Sequence, residues 1–485
     1  MTKVDLRVIP FLCILYLLAF LDRVNVSNAN LYGLSTELKL EGNDFNNALV
    51  IFFVPYILFE IPSNLLLKKF RPHIWLPACM FFFGLVTICQ GLVSSYGGLL
   101  TARFFLGVFE AGMFPGTERN NRYQKHHDLI FPGCFYLIGM WYKRSEAQRR
   151  YSFFFSSTTL AGAFGGLLAA AIGKMSGVRG YLGWRWVFIL EGLLTCVVAI
   201  TFFFCLPDFP EEASWLSTEE RAYIQARLRA DQGQSARKRR ISAADVGNCF
   251  KDFKFWLGAF MYFFHIVPAY AYAYFSPGII RSYGYSPVGT QLHSVPPWAV
   301  AFGFAMLTAF VSDFTKHRFL VAVFAISVAL TGFAILTSVH DNTKLEYAAL
   351  FLCAMGTYSA MPIVVCWFNM NLGGHHRRSV GTAWQVGFGN IGGEPTIRNI
   401  RCIYLTMGTG IIAVYAFLAK DAPEYITGYS ICLAFLAMAI VSCTLYFLAC
   451  WWQNRQRDRM LTNLSLTEHE KTEMGDLSPD YRYQL

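Results

Sequence analysis

The first apolar stretch of the chain, VIPFLCILYLLAFL at residues 8–21, runs straight into Asp22 and Arg23. By itself this stretch resembles a secretory signal. However, no small-residue cleavage site follows it, and many similar stretches come later in the chain. We therefore predict that it is the first of a series of membrane helices, with two charged residues inside its span.

The composition is also that of a membrane protein. Of the 485 residues, 55% are hydrophobic and 15% are charged, whereas soluble domains have about 25% charged residues. The aromatic content of 17% excludes a disordered chain. A helical span needs about 20 residues, so twelve spans would fill roughly half of the sequence. The spans after the first are predicted at 47–67, 75–93, from 98 onward, 152–173, 184–206, 256–279, 292–312, 319–338, 346–368, from 380 onward and 428–452.

The net charge of +10 does not indicate nucleic-acid binding, because the basic residues form short clusters between apolar runs. Every second loop is basic, as cytoplasmic loops of membrane proteins are. We therefore predict that both termini and the middle loop are cytosolic. Separately, the protein is expected to be a monomer in the plasma membrane. The basic clusters lie at 68–71, 143–150, 237–240, 316–318, 377–378 and 455–459.

The middle loop at 207–255 divides the chain into two predicted six-helix halves, 1–206 and 256–452. Within this loop, Ser217 and Glu220 have the spacing of a capping box and predict a short surface helix. The polar tail at 453–485 is predicted to be disordered in the cytosol. The 13 cysteines show no CxxC pair and no metal-ligand spacing, so no disulfide framework, metal or cofactor is predicted.

Two segments of equal length, 117–133 and 394–410, interrupt the predicted spans 4 and 11. Both contain several charged residues, which are costly at membrane depth. Without them, each of the two spans has the length of one membrane crossing. Their coding length is a multiple of three and close to that of a small intron. We therefore expect retained introns, and the alternative is a pair of re-entrant loops that line a cavity.

Ionisable residues inside spans cost about 2.5–3.5 kcal/mol each and so call for a functional hypothesis. Asp22 and Arg23 are adjacent in span 1, and Arg103 and Glu110 lie on one face of span 4 because they are seven residues apart. Such residues could form a proton-coupled anion site, in which arginine holds a carboxylate and a buried acid exchanges the proton. They could equally be structural ion pairs between helices.

Other polar residues inside spans favour packing roles. Glu60 and Glu191 are expected near the interfacial ends of spans 2 and 6, and His265 in span 7 is expected to be a hydrogen-bonded packing residue. A second group could complete a cavity or form interhelical hydrogen bonds. This group consists of Tyr56, Asn369, Asn371, Trp384, Gln385 and Asn390.

Several motifs resemble the anion:cation symporter branch of the major facilitator superfamily, and most closely the fungal allantoate permease family. That family includes carriers of allantoate, nicotinate, pantothenate and biotin. The similarity covers nearly all of 5–452 except the two inserts. The motifs are LDRVN at 21–25, EIPSN at 60–64, RFFLG at 103–107 with EAG at 110–112, GWRW at 183–186 with EG at 191–192, and NLGG at 371–374 with GFGN at 387–390.

The resemblance implies an all-α integral membrane protein with twelve helices in two six-helix halves, working by alternating access. By position it implies that Asp22 and Glu110 carry protons. It also implies that Arg23 binds or orients the anion and that Arg103 pairs with the acids. Together with Arg23 and Arg103, the span residues Tyr56, Trp384, Gln385 and Asn390 are candidate substrate contacts.

The sequence as a whole predicts a transporter, not an enzyme: a carrier that takes up a small organic anion together with protons. Its partners would be that anion, protons and the lipid bilayer. The same fold could also serve an exporter of a secondary metabolite, or a nutrient receptor that does not transport. The sequence contains no nucleophile motif and no HxxHH-type histidine box, so an enzyme is not expected.

Overall fold

The computed structural model of the protein describes residues 2–59, 72–112, 115–116, 131–132, 138, 141–142, 144–206, 213, 215–232, 243–373, 375–391, 409–460 and 481–485. The long elements in these ranges are α-helices. They are α1 Thr2–Asn30, α2 Leu34–Glu37, α3 Asp44–Val50, α4 Pro72–Gly91, α5 Tyr96–Ala111, α6 Arg144–Ile172, α7 Gly183–Cys205, α8 Thr218–Gln232, α9 Ala243–Phe250, α10 Phe253–Ser282, α11 Pro287–Thr315, α12 Arg318–Ser338, α13 Thr343–Met370, α14 His375–Ile391, α15 Thr409–Ala416 and α16 Ile426–Met460. Short 3-10 turns lie at Gly173–Met175, Val178–Gly180 and Ala419–Asp421.

Within the described residues, eight helices are long and apolar enough to cross a membrane: α1, α4, α6, α7, α11, α12, α13 and α16. A shorter apolar helical stretch, Asp44–Phe59, contains α3 at the position of span 2. Helix α5, helix α10 and the pair α14–α15 occupy the positions of spans 4, 7 and 11. The arrangement is therefore the all-α, twelve-span fold that the sequence predicts.

Helices pack closely at glycines, both within each half of the protein and between the two halves. In the first half, a side chain at Gly84 of α4 would collide with Cys196 of α7. In the second half, a side chain at Gly356 of α13 would overlap Ala329 of α12. Between the halves, Gly162 of α6 lies directly against the ring of Trp298 of α11.

The region of the first insert shows how the chain leaves span 4. Helix α5 ends at Ala111, and two short antiparallel strands follow, β1 Pro115–Gly116 and β2 Phe131–Pro132. Pro115 pairs with Pro132, so the two flanks of the segment between the strands come together. Residues 117–130 and 392–408, which make up most of the two inserts, lie outside the described residues.

The capping box of the middle loop is confirmed. The Ser217 hydroxyl accepts from the Glu220 backbone N–H at 3.1 Å, and Glu220 accepts in return from the Ser217 N–H at 3.0 Å. Helix α8 follows directly. Lys3 also donates to Glu220 at 2.8 Å, and these hydrogen bonds hold the pKa of Glu220 below its usual value.

Two parts of the C-terminal tail, 453–460 and 481–485, differ from the predicted disorder, and residues 461–480 lie outside the described residues. Helix α16 continues to Met460, and residues 481–485 pack against the second half. Tyr483 is buried beside Lys254, whose Nζ lies 3.7 Å from the ring centroid. The carbonyl of Gln484 accepts from Trp367 Nε1 and from Asn371 Nδ2, both at 2.9 Å. Residues 481–485 have no hydrophobic core of their own, and hydrogen bonds to the ends of helices hold them in place.

Candidate functional site

Arg23 and Glu110 form a buried ion pair between α1 and α5. The Nη2 group of Arg23 donates to Glu110 Oε1, and its Nη1 group donates to the Tyr270 hydroxyl of α10 at 2.6 Å. Because α1 and α5 belong to the first half and α10 to the second, Arg23 links the two halves. This contact brings together two of the residues that the sequence singles out, Arg23 and Glu110.

Aromatic rings surround the Arg23 guanidinium. Its carbon lies 5.2 Å from the ring centroid of Phe52, 5.4 Å from that of Tyr56 and 5.7 Å from that of Tyr270. Cations are attracted to ring faces at such distances. Tyr56, a predicted substrate contact, therefore lies at the Arg23 site.

Arg103 lies on the same face of α5 as Glu110 and is fully buried. Between them, Gly107 has no side chain, and a Cβ there would overlap the carbonyl of Phe52. The close approach of α3 that follows places the Ala48 carbonyl 3.1 Å from Arg103 Nε. Arg103 also lies 5.0 Å from the Phe52 ring centroid, so both arginines flank the same ring.

Neither terminal nitrogen of Arg103 makes an ion pair with a carboxylate among the described residues, and Tyr274 is its side-chain neighbour. The resemblance implies that Arg103 pairs with the acids, whereas Arg23 holds the direct contact to Glu110 in the structure. Arg103 lies within electrostatic reach of Glu110 and of Tyr274. A buried guanidinium with free N–H groups can receive an oxyanion through two parallel hydrogen bonds.

Asp22 faces away from its neighbour Arg23 in sequence. Its Oδ2 accepts from the Thr195 hydroxyl of α7 at 3.1 Å, and its Oδ1 has no partner within the described ranges. Adjacent helical residues project about 100° apart, which places Asp22 and Arg23 on different faces of α1. The predicted proton residues Asp22 and Glu110 therefore lie in different environments.

Glu191 differs from the interfacial position expected for it. It lies inside α7, one turn before Thr195, and is 2% exposed. Neither carboxyl oxygen has a hydrogen-bond partner in the part of the chain that is described. Counting residues from the span end suggests an interface, but the packing of α7 against α1 and α4 encloses this side chain.

His265 has the packing role expected for it. Its ring nitrogen Nε2 lies 2.6 Å from the carbonyl of Thr357, which joins α10 to α13. The histidine is fully buried among second-half helices.

Trp384 and Gln385 of α14 lie away from the arginines. Gln385 donates to the Gly258 carbonyl at 3.0 Å and accepts from Asn369 at 3.3 Å. Gly258 and Tyr270 are both on α10, and their separation along the chain corresponds to about 18 Å of helix. Gln385 therefore joins helices α10, α13 and α14 at a level different from that of the Arg23 site.

Trp384 belongs to an aromatic group formed with the loop helix α9 and the start of α10. Its ring centroid is 4.7 Å from that of Phe250 and 5.0 Å from that of Trp256. Asn390 lies in α14 by its backbone, but its side chain is outside the described part, as is all of Glu60. The structure therefore does not bring Trp384 to the arginine site.

The sequence reasoning missed two tyrosines of α10, Tyr270 and Tyr274. Tyr270 binds Arg23, Tyr274 lies near Arg103, and their rings are stacked with centroids 6.0 Å apart. The i, i+4 spacing of these residues places them on one helix face, and this was the available signal. Because their aromatic rings count as apolar, hydropathy alone predicts only an ordinary membrane span at α10.

At the end of the bundle where α1 ends and α7 begins, Arg185 and Glu37 form a partly exposed ion pair. Arg185 donates to Glu37 at 2.8 Å, and the indole of Trp184 donates to the same carboxylate at 2.6 Å. Partial burial raises the pKa of Glu37, but these hydrogen bonds outweigh the burial and hold it below its usual value. The GWRW motif thus anchors the loop after α1.

Known proteins similar to this chain are membrane transporters. The transporter hxnP of Emericella nidulans is 32% identical over 100% of this chain and 92% of its own length. The transporter cnsO of Penicillium expansum is 30% identical over 100% of this chain and 90% of its own. Among solved structures, the proton:xylose symporter XylE has a TM-score of 0.62 at 11% identity, covering 90% of this chain and 95% of its own.

The family described as Major Facilitator Superfamily matches residues 12–119 and 127–394. The match breaks inside the first insert and ends where the second begins. Its members are transporters and not enzymes, in agreement with the sequence prediction. The chain belongs to the major facilitator superfamily and is a multi-pass membrane transporter.

Proposed function

We propose that the protein takes up a small organic anion together with protons, as a member of the anion:cation symporter branch related to allantoate permeases. The observation that carries this proposal is the charge of the buried site. Among the described residues, Glu110 is the carboxylate that interacts with both Arg23 and Arg103, and Arg103 has Tyr274 beside it but no ion pair of its own. A buried positive charge that lacks a partner favours the binding of an anion.

The aromatic lining favours a planar or compact anion. Phe52, Tyr56 and Tyr270 provide ring faces beside the guanidinium of Arg23, and Tyr274 places its hydroxyl near Arg103. Pockets of this kind bind most of a ligand through apolar contact and orient it with a few polar groups. Carboxylate vitamins, ureides and sugar acids all combine an anionic group with such a body.

Alternating access requires contacts between the halves that can form and break. Asn46 donates to the carbonyls of Val414 and Phe417 at 2.8 and 3.0 Å, and Gln291 donates to Asn28 at 3.1 Å. These bonds lie at the end of the bundle opposite the basic loops. With cytosolic termini in the plasma membrane, as we propose, they would close the site on the outside.

Uptake by proteoliposomes tests the proposal. The probes are labelled nicotinate, pantothenate, biotin, allantoate and gluconate, each offered with the outside more acidic than the inside. Both the 485-residue chain and the chain without 117–133 and 394–410 are reconstituted. We expect at least one acid to accumulate above its outside concentration, and to stop doing so when a protonophore removes the gradient.

Other outcomes of the same assay would indicate one of the alternative functions. Outward movement from preloaded vesicles only would indicate an exporter. Saturable binding without accumulation would indicate a receptor. Transport of an acid with no dependence on the proton gradient would contradict proton coupling.

A further inference from the structure

Asp22 and Glu191 lie at the same height on two neighbouring helices. Each is about 12 Å along its helix from the same end of the bundle, since α1 ends at Asn30 and α7 begins at Gly183. Gly183 packs against Tyr32, which confirms that these two helix ends are level. Thr195 donates to Asp22 and lies one turn from Glu191, so both acids face the contact between α1 and α7.

Neither acid has a cation partner among the described residues. Asp22 is 1% exposed and Glu191 is 2% exposed. Three of their four carboxyl oxygens have no hydrogen-bond partner among the described residues. Arg23 is held by Glu110 and Tyr270 on a different face of α1.

The other ionisable groups that the structure describes on the surrounding helices do not supply a counter-charge to this pair. Cys196 on α7 and Glu110 on α5 lie within electrostatic reach of Asp22, and neither is a cation. Arg185 on α7 is engaged by Glu37 and by the carbonyl of Gly91, and Arg150 on α6 is engaged by Asp5 at the other end of α1. On α10, Tyr270 and Tyr274 face the two arginines.

Two neighbouring carboxylates in a dry site cannot both carry a charge without a cation. With no cation beside them among the described residues, we expect at least one proton to be bound between them, whereas Glu110 has Arg23 as a direct partner. We propose that Asp22 and Glu191 together form the proton-binding site of the carrier, separate from the anion site at Arg23 and Arg103. This inference rests on the proposed proton-coupled transport and adds Glu191 to the proton-carrying acids that the resemblance implies.

The proton moves without any redox step. A carboxylate oxygen of the pair takes up a proton from water on one side and releases it to water on the other, and no covalent bond to substrate forms. Because Asp22 and Arg23 are adjacent on α1, a movement of this helix changes both sites at once. The geometry thus couples proton and anion through one helix instead of one shared residue.

Infrared spectroscopy tests the site without a transport substrate. The full chain is reconstituted in lipid and titrated with acid and base. The carbonyl stretch of protonated carboxylic acids is then followed in light and heavy water. We expect the wild-type protein to retain a protonated carboxyl band at neutral pH. Glu191→Gln and Asp22→Asn should each reduce this band, and the double variant should remove the contribution of the pair.

Two controls separate the pair from other acids. Glu41→Gln changes an exposed glutamate and should leave the band unchanged. Glu110→Gln should also leave it unchanged if Arg23 keeps Glu110 ionised, and loss of the band in this variant alone would return the proton to Glu110. The replacements are close in shape to the acids, and a melting curve verifies that each variant is folded.

Absence of a protonated band in the wild type, or a band unaffected by Glu191→Gln, would overturn the inference. Transport is then measured with whichever acid accumulates in the uptake screen. Glu191→Gln should lose accumulation driven by the proton gradient while still exchanging labelled for unlabelled acid. If the band behaves as expected but no acid is transported, the proton site stands and the proposed function fails.

Discussion

The two halves of the protein differ in how their buried charged residues are paired. In the first half, Arg103, Asp22 and Glu191 are enclosed with polar atoms that have no hydrogen-bond partner among the described residues. In the second half, the buried side chains of Lys254 and Arg318 have acidic neighbours, Asp252 and Asp313. Buried polar groups without a hydrogen-bond partner destabilise the fold, whereas paired groups stabilise contacts between helices. The comparison indicates that the first half carries the ion chemistry and that the second half supplies packing and the tyrosines of α10.

The largest effect is expected from removal of the two inserts, one in each half. Deletion of 117–133 and 394–410 should give a chain that transports, while the 485-residue chain should fail, because charged segments break spans 4 and 11. The pairing of Pro115 with Pro132 supports this expectation, since it brings the residues just before the first insert next to residues near its end. Uptake assays on both chains test it, and equal activity would show that the inserts are functional loops.

Breaking the ion pair between Arg23 and Glu110 should have the next largest effect. Arg23→Ala leaves Glu110 buried without its partner, and such a loss costs about 3–5 kcal/mol of folding free energy. Thermal unfolding followed by tryptophan fluorescence measures the loss. The matched double variant, Arg23→Ala with Glu110→Ala, should recover part of the stability. A single variant as stable as the wild type would show that the pair contributes no stability.

The docked tail gives a smaller effect that is confined to the second half. Deletion of 481–485 exposes the sites on Trp367 and Asn371 and should lower stability by about 1–2 kcal/mol, as is usual for loss of a few hydrogen bonds and one buried ring. The melting temperature would fall by a few degrees. Arg482→Ala is the control, because its pair with Asp458 is largely exposed and contributes little. Equal melting of the deletion and the control would mean that the tail does not stabilise the helices.

The smallest effect on transport is expected for Gln385→Ala. The variant loses hydrogen bonds to Gly258 and Asn369, so stability should fall by about 1–3 kcal/mol. The KM for the transported acid should stay the same, because Gln385 lies far along α10 from the arginines. The hypothesis from sequence, that Gln385 contacts substrate, predicts a raised KM instead.

Much of the fold follows from the sequence because a bilayer admits few solutions. Apolar runs and basic loops predict the helices, and the i, i+7 spacing correctly places Arg103 and Glu110 on one face. The neighbours of each residue do not follow in the same way. Hydropathy does not reveal that Tyr270 meets Arg23, or that Glu191 meets the α1 contact, because both depend on how distant helices pack.

The tail illustrates the same limit. Residues 481–485 have no apolar pattern of their own, so local composition indicates disorder. Their order comes from partners that are distant in sequence, such as Asn454 and Arg457, which bind the backbone of Tyr483 and Tyr481. Sequence patterns describe a segment alone, and here the partners decide the outcome.

The KM of the Arg103→Gln variant, measured for the acid that accumulates in the uptake screen, tests the central claim most directly. It is compared with Gln385→Ala in the same transport-competent chain. A charge-assisted hydrogen bond contributes about 1.5–3 kcal/mol, so KM should rise by about 10-fold or more for Arg103→Gln and remain unchanged for Gln385→Ala. An unchanged KM for Arg103→Gln, with a raised KM for Gln385→Ala, would contradict an anion site in the first half.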